Sequence, residues 1–189
     1  LVAAAALLLS LAGCGLLPEV QDETASYSAE KIYGLAHSAM AEGNYTRAVK
    51  LFETLESRYP YGRYAQQAIL EGAFANWRNG EQAAATAACE RFIRTYPTHR
   101  NVPYMYYLRG LSNASRDTVF LSTVLSLEMS NRDLSTPMQA YNDFSIVSER
   151  YPNSRYAADA AKRMVVLRDM FAKHELDSGL YYLRRGANV

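Results

Sequence analysis

Hydrophobic and polar residues alternate with a helical period over most of the chain. The same spacing, i, i+4, i+7 and i+11, recurs three times with small and aromatic residues. Positions at this spacing lie along one side of an α-helix. The three stripes are Ala48, Phe52, Leu55 and Tyr59; Ala85, Cys89, Phe92 and Tyr96; and Ala140, Phe144, Val147 and Tyr151. The pattern therefore predicts three amphipathic helices, each with one face in a core.

Each stripe ends in the string Tyr-Pro-x-x-Arg, which occupies residues 59–63, 96–100 and 151–155. The prolines at 60, 97 and 152 are separated by 37 and then 55 residues. A proline inside a helix costs about 3 kcal/mol or more, because it removes a hydrogen bond and clashes with the preceding turn. The three strings therefore mark connections between structural units.

A further helical segment precedes each stripe. In the first two copies a short polar turn separates this segment from the stripe. Ser28 is a suitable N-cap for the first segment, and Asn44 for the helix after it. Gly43 and Gly80 are also 37 residues apart. Helix, short turn, helix and proline at this period are typical of tetratricopeptide (TPR) repeats. We predict an all-α fold, a right-handed superhelical array of TPR-like repeats. An ordinary helical bundle is the competing interpretation, but it would not keep this register.

The predicted TPR domain covers residues 27–189, with repeats at about 28–60, 64–97, 103–152 and 154–189. The third repeat carries an insert at 117–135, and its second helix should begin near Thr136-Pro137. The fourth should have a long first helix to about His174 and a second from about Asp177. A solenoid needs a closing cap, so we expect the array to be C-terminally truncated here and to continue beyond Val189.

The N-terminal residues have the pattern of a secretion signal. An apolar run over residues 1–11 leads into Leu11-Ala12-Gly13-Cys14. The run is too short for a membrane-spanning helix, which needs about 20 apolar residues, but it fits the apolar region of a signal peptide. The four residues resemble the lipobox of bacterial lipoproteins. That resemblance implies a signal peptide at 1–13, acyl chains on Cys14 and a tether at 14–26. Gly15, rather than aspartate, follows the cysteine, and in Gram-negative lipoproteins this favours sorting to the outer membrane.

Charge and chemistry argue for a binding protein. The chain has 20 basic and 19 acidic residues and a net charge of +1, which argues against a nucleic-acid partner. His37, His99 and His174 are far apart, and no phosphate loop or nucleophile elbow is present. We therefore expect no enzyme activity, no metal and no cofactor besides the lipid on Cys14. With Cys14 acylated, Cys89 has no partner for a disulfide and is expected to be a small core residue.

Several segments together resemble the BamD family, also called ComL. They lie at residues 58–67, 91–94, 97–99, 105–111, 131–133 and 151–154. The resemblance implies a lipoprotein of the β-barrel assembly (BAM) complex on the periplasmic face of the Gram-negative outer membrane. It implies as partners an Omp85-type barrel subunit similar to BamA, accessory BAM lipoproteins and unfolded barrel precursors. The alternative is another envelope TPR lipoprotein adaptor, for pilus biogenesis or for coordination of cell division.

TPR arrays bind ligands on the concave face, which the first helix of each repeat lines. The consensus register predicts a groove lined by Tyr33, His37, Met40, Leu70, Phe74 and Trp77. Tyr59 and Arg63, at the junction of two repeats, are expected mainly to shape the turn, with ligand contact as the alternative. Such a groove suits an extended peptide that ends in an aromatic residue, as barrel precursors commonly do. Aromatic stripes at helical spacing also commonly belong to a core, so core packing is the alternative for each residue.

Overall fold

The computed structural model describes residues 23–116, 134–184 and 186. This part of the chain is an array of seven α-helices. They are α1 Ala29–Ala41, α2 Tyr45–Arg58, α3 Arg63–Arg78, α4 Gln82–Thr95, α5 Val102–Arg116, α6 Ser135–Arg150 and α7 Ala157–Arg184. The predicted signal peptide, Cys14, most of the tether and nearly all of the insert lie outside the described residues. The prediction of an all-α array of helix-turn-helix repeats is confirmed.

Local signals set the ends of the first helices as predicted. The Ser28 hydroxyl accepts a hydrogen bond from the backbone N–H of Lys31, at 3.3 Å, and so caps α1. The Asn44 side chain accepts one from the N–H of Arg47, at 3.1 Å, and caps α2. Gly43 has φ +76°, a left-handed conformation that glycine adopts without a steric cost. The predicted caps and turn are confirmed.

The three tyrosines before proline end their helices in the same way. Tyr59, Tyr96 and Tyr151 have φ of −127°, −128° and −130° and lie just after α2, α4 and α6. A following proline disfavours the helical conformation at the residue before it, because its ring would clash with that residue's backbone. The Tyr-Pro strings therefore connect successive hairpins, as their spacing predicts.

Each helix packs against the next, and α1 also contacts α3, as α3 contacts α5. The first helices of successive hairpins therefore lie side by side. The three repeated stripes supply the centre of the core: Phe52, Phe92 and Phe144 are fully buried. Cys89 is buried with them, as predicted, and burial raises the pKa of its thiol.

One predicted helix boundary is wrong. The break between His174 and Asp177 is absent, because α7 continues without interruption to Arg184. No glycine or proline stands between these residues, and the next glycine with a left-handed backbone conformation is Gly186. Helix α6 begins at Ser135, within one residue of the predicted start near Thr136-Pro137.

Candidate functional site

Two tyrosines form an aromatic surface where α1 and α3 lie side by side. The ring centroids of Tyr33 on α1 and Tyr64 on α3 are 5.0 Å apart, and the ring of His37 is 5.8 Å from that of Tyr33. Tyr33 and Tyr64 are half-buried, while the side chain of His37 is 59% exposed. We call Tyr33, His37 and Tyr64 the first tyrosine platform. It offers aromatic surface to a ligand while its inner edge contacts the core at Phe52.

Glu71 on α3 holds the platform together. Its Oε1 accepts a hydrogen bond of 2.9 Å from the Tyr33 hydroxyl and one of 2.6 Å from Nε2 of Gln67. Its Oε2 is buried, accepts no hydrogen bond from the described residues and lies 3.8 Å from Nε2 of His37.

Burial and the neighbouring carboxylate determine the charge state of Tyr33. Partial burial, then the hydrogen bond to Glu71 and its charge, raise the pKa of Tyr33 to about 12. The phenol therefore stays protonated at neutral pH and remains a hydrogen-bond donor to Glu71. The Tyr33 hydroxyl and the Glu71 carboxylate therefore remain a donor and acceptor pair at neutral pH.

The structure disperses the residues that were predicted to line a groove. Tyr33 and His37 lie on the platform, whereas Met40 is half-buried against the core that contains Ile32 and Phe52. The hydroxyl of Tyr59 donates to the carbonyl of Tyr27 at 2.9 Å and so fixes the segment before α1. Arg63 is exposed and stacks over the ring of Tyr64, 4.6 Å from its centroid. None of these positions by itself tests ligand binding.

Leu70, Phe74 and Trp77 lie farther along α3. Leu70 is only 9% exposed and belongs to the core between α3, α4 and α5, so its predicted place in an open groove is wrong. Its position on the helix faces the following hairpin. Phe74 and Trp77 are half-buried, with ring centroids 5.9 Å apart, and Phe74 also contacts the ring of Tyr45 at 6.4 Å.

Sequence reasoning missed Tyr64, Gln67 and Glu71. They follow one another at the spacing i, i+3 and i+7, and Phe74 continues the series at i+10. This spacing places all four on one face of α3. The signal was present in the sequence, but it mixes polar with aromatic residues, and a search for apolar stripes does not find it.

A cleft of about 500 Å³ opens elsewhere, between α2, α3 and α4. Gly72 lies in its wall, where an added Cβ would approach Cβ of Phe52 to 3.3 Å. Arg91 and Glu56 pair across the two hairpins at 2.5 Å, and burial raises the pKa of Glu56. None of the residues predicted for the groove lines this cleft.

The described residues offer neither a metal site nor a membrane-spanning helix. No group of three or more histidine, cysteine, aspartate or glutamate side chains within them is placed to hold a metal ion. Within the same ranges, no helix combines the length and apolar character that a membrane crossing needs.

The stacked hairpins and the aromatic face of their first helices define the class as a TPR-type repeat protein. The fold is similar to the first TPR domain of Spaghetti (RPAP3), solved bound to the HSP90 peptide SRMEEVD. The TM-score is 0.55, and the match covers 76% of this chain and 93% of that one. Sequence identity is 17%, so the likeness shows the fold alone.

Residues 25–189 match the family described as YfiO, outer membrane lipoprotein, and the chain belongs to this family. It is 56% identical over 160 residues to the outer membrane protein assembly factor BamD of Xylella fastidiosa strain 9a5c, a match that covers 85% of this chain and 55% of the relative. It is 42% identical to the BamD of Neisseria meningitidis strain MC58, a match that covers 96% of this chain and 69% of the relative. It is 35% identical to the BamD of Vibrio cholerae, over 94% of this chain and 72% of that relative. The chain thus spans about half the length of the Xylella relative, and the predicted family is confirmed.

Proposed function

We propose that this protein is a lipid-anchored scaffold of the outer-membrane β-barrel assembly complex that binds unfolded barrel precursors. The observation that carries the proposal is the first tyrosine platform, an open aromatic and polar surface on a member of an outer membrane lipoprotein family. The curated relatives are named as assembly factors for outer membrane proteins.

An extended peptide with an aromatic side chain suits the platform. A ring placed against Tyr33 and Tyr64 gains about 0.5–1.5 kcal/mol for the aromatic contact, beyond the burial of its apolar area. The binding surface therefore recognises an aromatic side chain.

Membrane attachment is proposed to come from acyl chains on Cys14. One acyl chain binds a membrane only marginally, and stable attachment takes two signals, at about 0.8 kcal/mol for each buried methylene. A triacylated cysteine meets this need without a contribution from the fold. The repeats would then face the periplasm and bind an Omp85-type barrel subunit and accessory lipoproteins. The protein acts by binding, without catalysis or a cofactor.

The first test is an affinity purification of the full-length, lipidated protein from detergent-solubilised outer membranes, with mass spectrometry of its partners. Stoichiometric recovery of an Omp85-type barrel protein is expected. Recovery of pilus or cell-division proteins without that barrel would refute the assembly role and leave the lipoprotein and repeat assignments in place.

The platform itself is tested with a fluorescein-labelled peptide that alternates polar and apolar residues and ends in phenylalanine. Tyr64→Ala should weaken its binding about tenfold, as expected when roughly 1.4 kcal/mol of contact is lost. Tyr182→Ala, which removes an exposed tyrosine near the end of α7, is the matched control and should leave the affinity unchanged. Equal affinities for the two variants would exclude the platform as the peptide site.

A further inference from the structure

The six-residue segment that ends at Tyr64 has a second copy later in the chain, which also ends in tyrosine. Residues 59–64 read Tyr-Pro-Tyr-Gly-Arg-Tyr, and residues 151–156 read Tyr-Pro-Asn-Ser-Arg-Tyr. The middle copy departs from the pattern, because Asn101 stands where the others have tyrosine. Tyr64 follows Phe52 by 12 residues, and Tyr156 follows Phe144 by the same number. The two copies therefore occupy equivalent positions after equivalent core stripes.

The equivalence extends to the three-dimensional arrangement. Tyr156 stacks on Tyr107 of α5 with ring centroids 5.0 Å apart, the same separation as between Tyr33 and Tyr64. Tyr107 contacts the buried ring of Phe144 at 5.9 Å, as Tyr33 contacts Phe52 at 6.4 Å.

An arginine precedes the last tyrosine in both copies and stacks on it. Arg155 lies 4.8 Å from the ring of Tyr156, and Arg63 lies 4.6 Å from that of Tyr64. We call Tyr107 and Tyr156 the second tyrosine platform. The structure thus builds the same aromatic unit twice, once where α1 meets α3 and once where α5 meets the start of α7.

The polar residues of the two platforms differ in charge at matching positions. Seven residues after the tyrosine the first platform has Glu71, and the second has Arg163. Three residues after it they have Gln67 and Asp159. In the first platform the tyrosine hydroxyl and the glutamine both donate to the glutamate.

Asp159 takes the accepting role in the second platform. Its Oδ2 accepts from the hydroxyl of Tyr107 and, at 2.6 Å, from Nε of Arg163. These two hydrogen bonds, that from Tyr107 first, lower the pKa of Asp159, so its carboxylate stays charged and holds Arg163 in place. The centre of the first platform is a carboxylate, and that of the second platform includes a positioned guanidinium.

The second platform is accessible and carries excess positive charge. Arg155 and Lys162 are exposed, the Arg163 side chain is 37% exposed, and Asp159 is the acidic residue among them. The guanidinium of Arg163 lies 5.9 Å from the ring of Tyr107, so both arginines border the same stacked pair of rings. One of the five donors of Arg163 is used by Asp159, and planar guanidinium groups bind carboxylates with particular geometric fit.

We propose that the second tyrosine platform is a binding subsite for an acidic peptide segment, in which a carboxylate pairs with Arg155 and Arg163 and a neighbouring aromatic side chain contacts Tyr107 and Tyr156. The subsite goes beyond the proposed function, which uses the first platform. Charge complementarity determines the occupant: the accessible cations Arg155, Lys162 and Arg163 outnumber Asp159 around the second platform. A peptide with acidic and aromatic residues in alternation satisfies both the cations and the rings.

The test uses the full-length protein in detergent and two labelled peptides, Gly-Phe-Asp-Phe-Asp-Phe-Gly and its counterpart with lysine in place of aspartate. Fluorescence anisotropy should show tighter binding of the aspartate peptide, with an affinity that falls as salt is added. Arg155→Gln and Arg163→Gln should each weaken that binding about fivefold, the upper range for partly exposed ion pairs. Arg168→Gln, an exposed arginine on the same helix, is the matched control and should have no effect.

Each other outcome overturns the subsite. Equal binding of the two peptides, or unchanged affinity in both arginine variants, would show that Arg155 and Arg163 do not bind the acidic side chains of the peptide. Among the described residues no hydrogen bond or ion pair joins Arg155 to Asp159, so the Arg155 variant decides the question even if Arg163→Gln impairs folding. If only Tyr64→Ala abolishes binding of the aspartate peptide, the peptide occupies the first platform, and the proposed function stands without a second subsite. If the arginine variants reduce binding to phosphatidylglycerol vesicles and leave the peptide unaffected, the surface recognises lipid instead.

Discussion

Gly110 on α5 allows the ring of Phe144 on α6 to lie directly against the helix backbone. A Cβ at residue 110 would come within 2.7 Å of Cε1 and 3.0 Å of Cδ1 and Cζ of that ring. The ring is fully buried and is also held by Tyr107 and Arg163, at 5.9 and 6.0 Å. An added Cβ would force this ring or the helix backbone to shift, so Gly110→Ala should overpack the core between α5 and α6.

Two opposing effects determine the size of the change. Alanine in place of glycine inside a helix stabilises by about 0.5–1 kcal/mol. Overpacking a close-packed core costs about 1–3 kcal/mol. The second effect is larger, so Gly110→Ala should lower the free energy of unfolding by roughly 1–2 kcal/mol. Gly34 is the matched control, because it lies inside α1 with no atom within 4 Å of an added Cβ. Gly34→Ala should raise the free energy of unfolding by about 0.5–1 kcal/mol.

Urea unfolding followed by circular dichroism at 222 nm measures both variants. Adding Phe144→Leu to Gly110→Ala should recover part of the loss, because residues in direct contact do not contribute additively. If Gly110→Ala stabilises the protein as much as Gly34→Ala does, Phe144 does not lie against residue 110. The account of how α5 and α6 pack would then be wrong.

Three further predictions concern polar contacts. The Asp143 side chain is only 3% exposed and accepts a hydrogen bond of 2.6 Å from the guanidinium of Arg109. Asp143→Ala leaves that guanidinium without its partner and should lower the free energy of unfolding, measured by urea titration, by about 3–5 kcal/mol. Tyr59→Phe removes the hydrogen bond to the carbonyl of Tyr27 and should cost about 0.5–1.5 kcal/mol in the same assay, and a loss near zero would show that the contact does not form. The pKa of Asp159 is lowered in the folded protein. Its stabilising contribution is therefore present above the usual carboxyl pKa and is lost as pH falls through the lower folded value. Asp159→Asn should flatten the decrease in melting temperature between about pH 5 and 2.

The helices and their order could be predicted from the sequence because their signals are local. A proline or a left-handed glycine ends a helix wherever it stands, and a side chain at Ser28 or Asn44 can cap only the residues that follow it. The stripes around Phe52, Phe92 and Phe144 identified the core for the same reason, since a period of 3.6 residues places them on one helix face. The segments that resemble the family are likewise contiguous, and the family assignment needed no structure.

The candidate site could be predicted only in part. Tyr33 and His37 lie together on the first tyrosine platform, but Leu70 is in the core and Tyr64, Gln67 and Glu71 were missed. Helical period shows which side chains share a face, but it does not show which neighbour that face meets. Helix α3 contacts helices before and after it, so packing on several sides decides which of its residues stay accessible.

The sequence by itself determined that this chain is a helical repeat protein of a lipoprotein family. Tertiary structure decided the rest: that α7 is one continuous helix, that Glu71 accepts a hydrogen bond from the Tyr33 hydroxyl, and that two tyrosine platforms form with different polar partners. These features join residues from different helices, such as Tyr107 and Asp159, which are 52 positions apart. The physical reason is that caps and helix period act over a few residues, whereas a binding surface depends on how whole helices pack against one another.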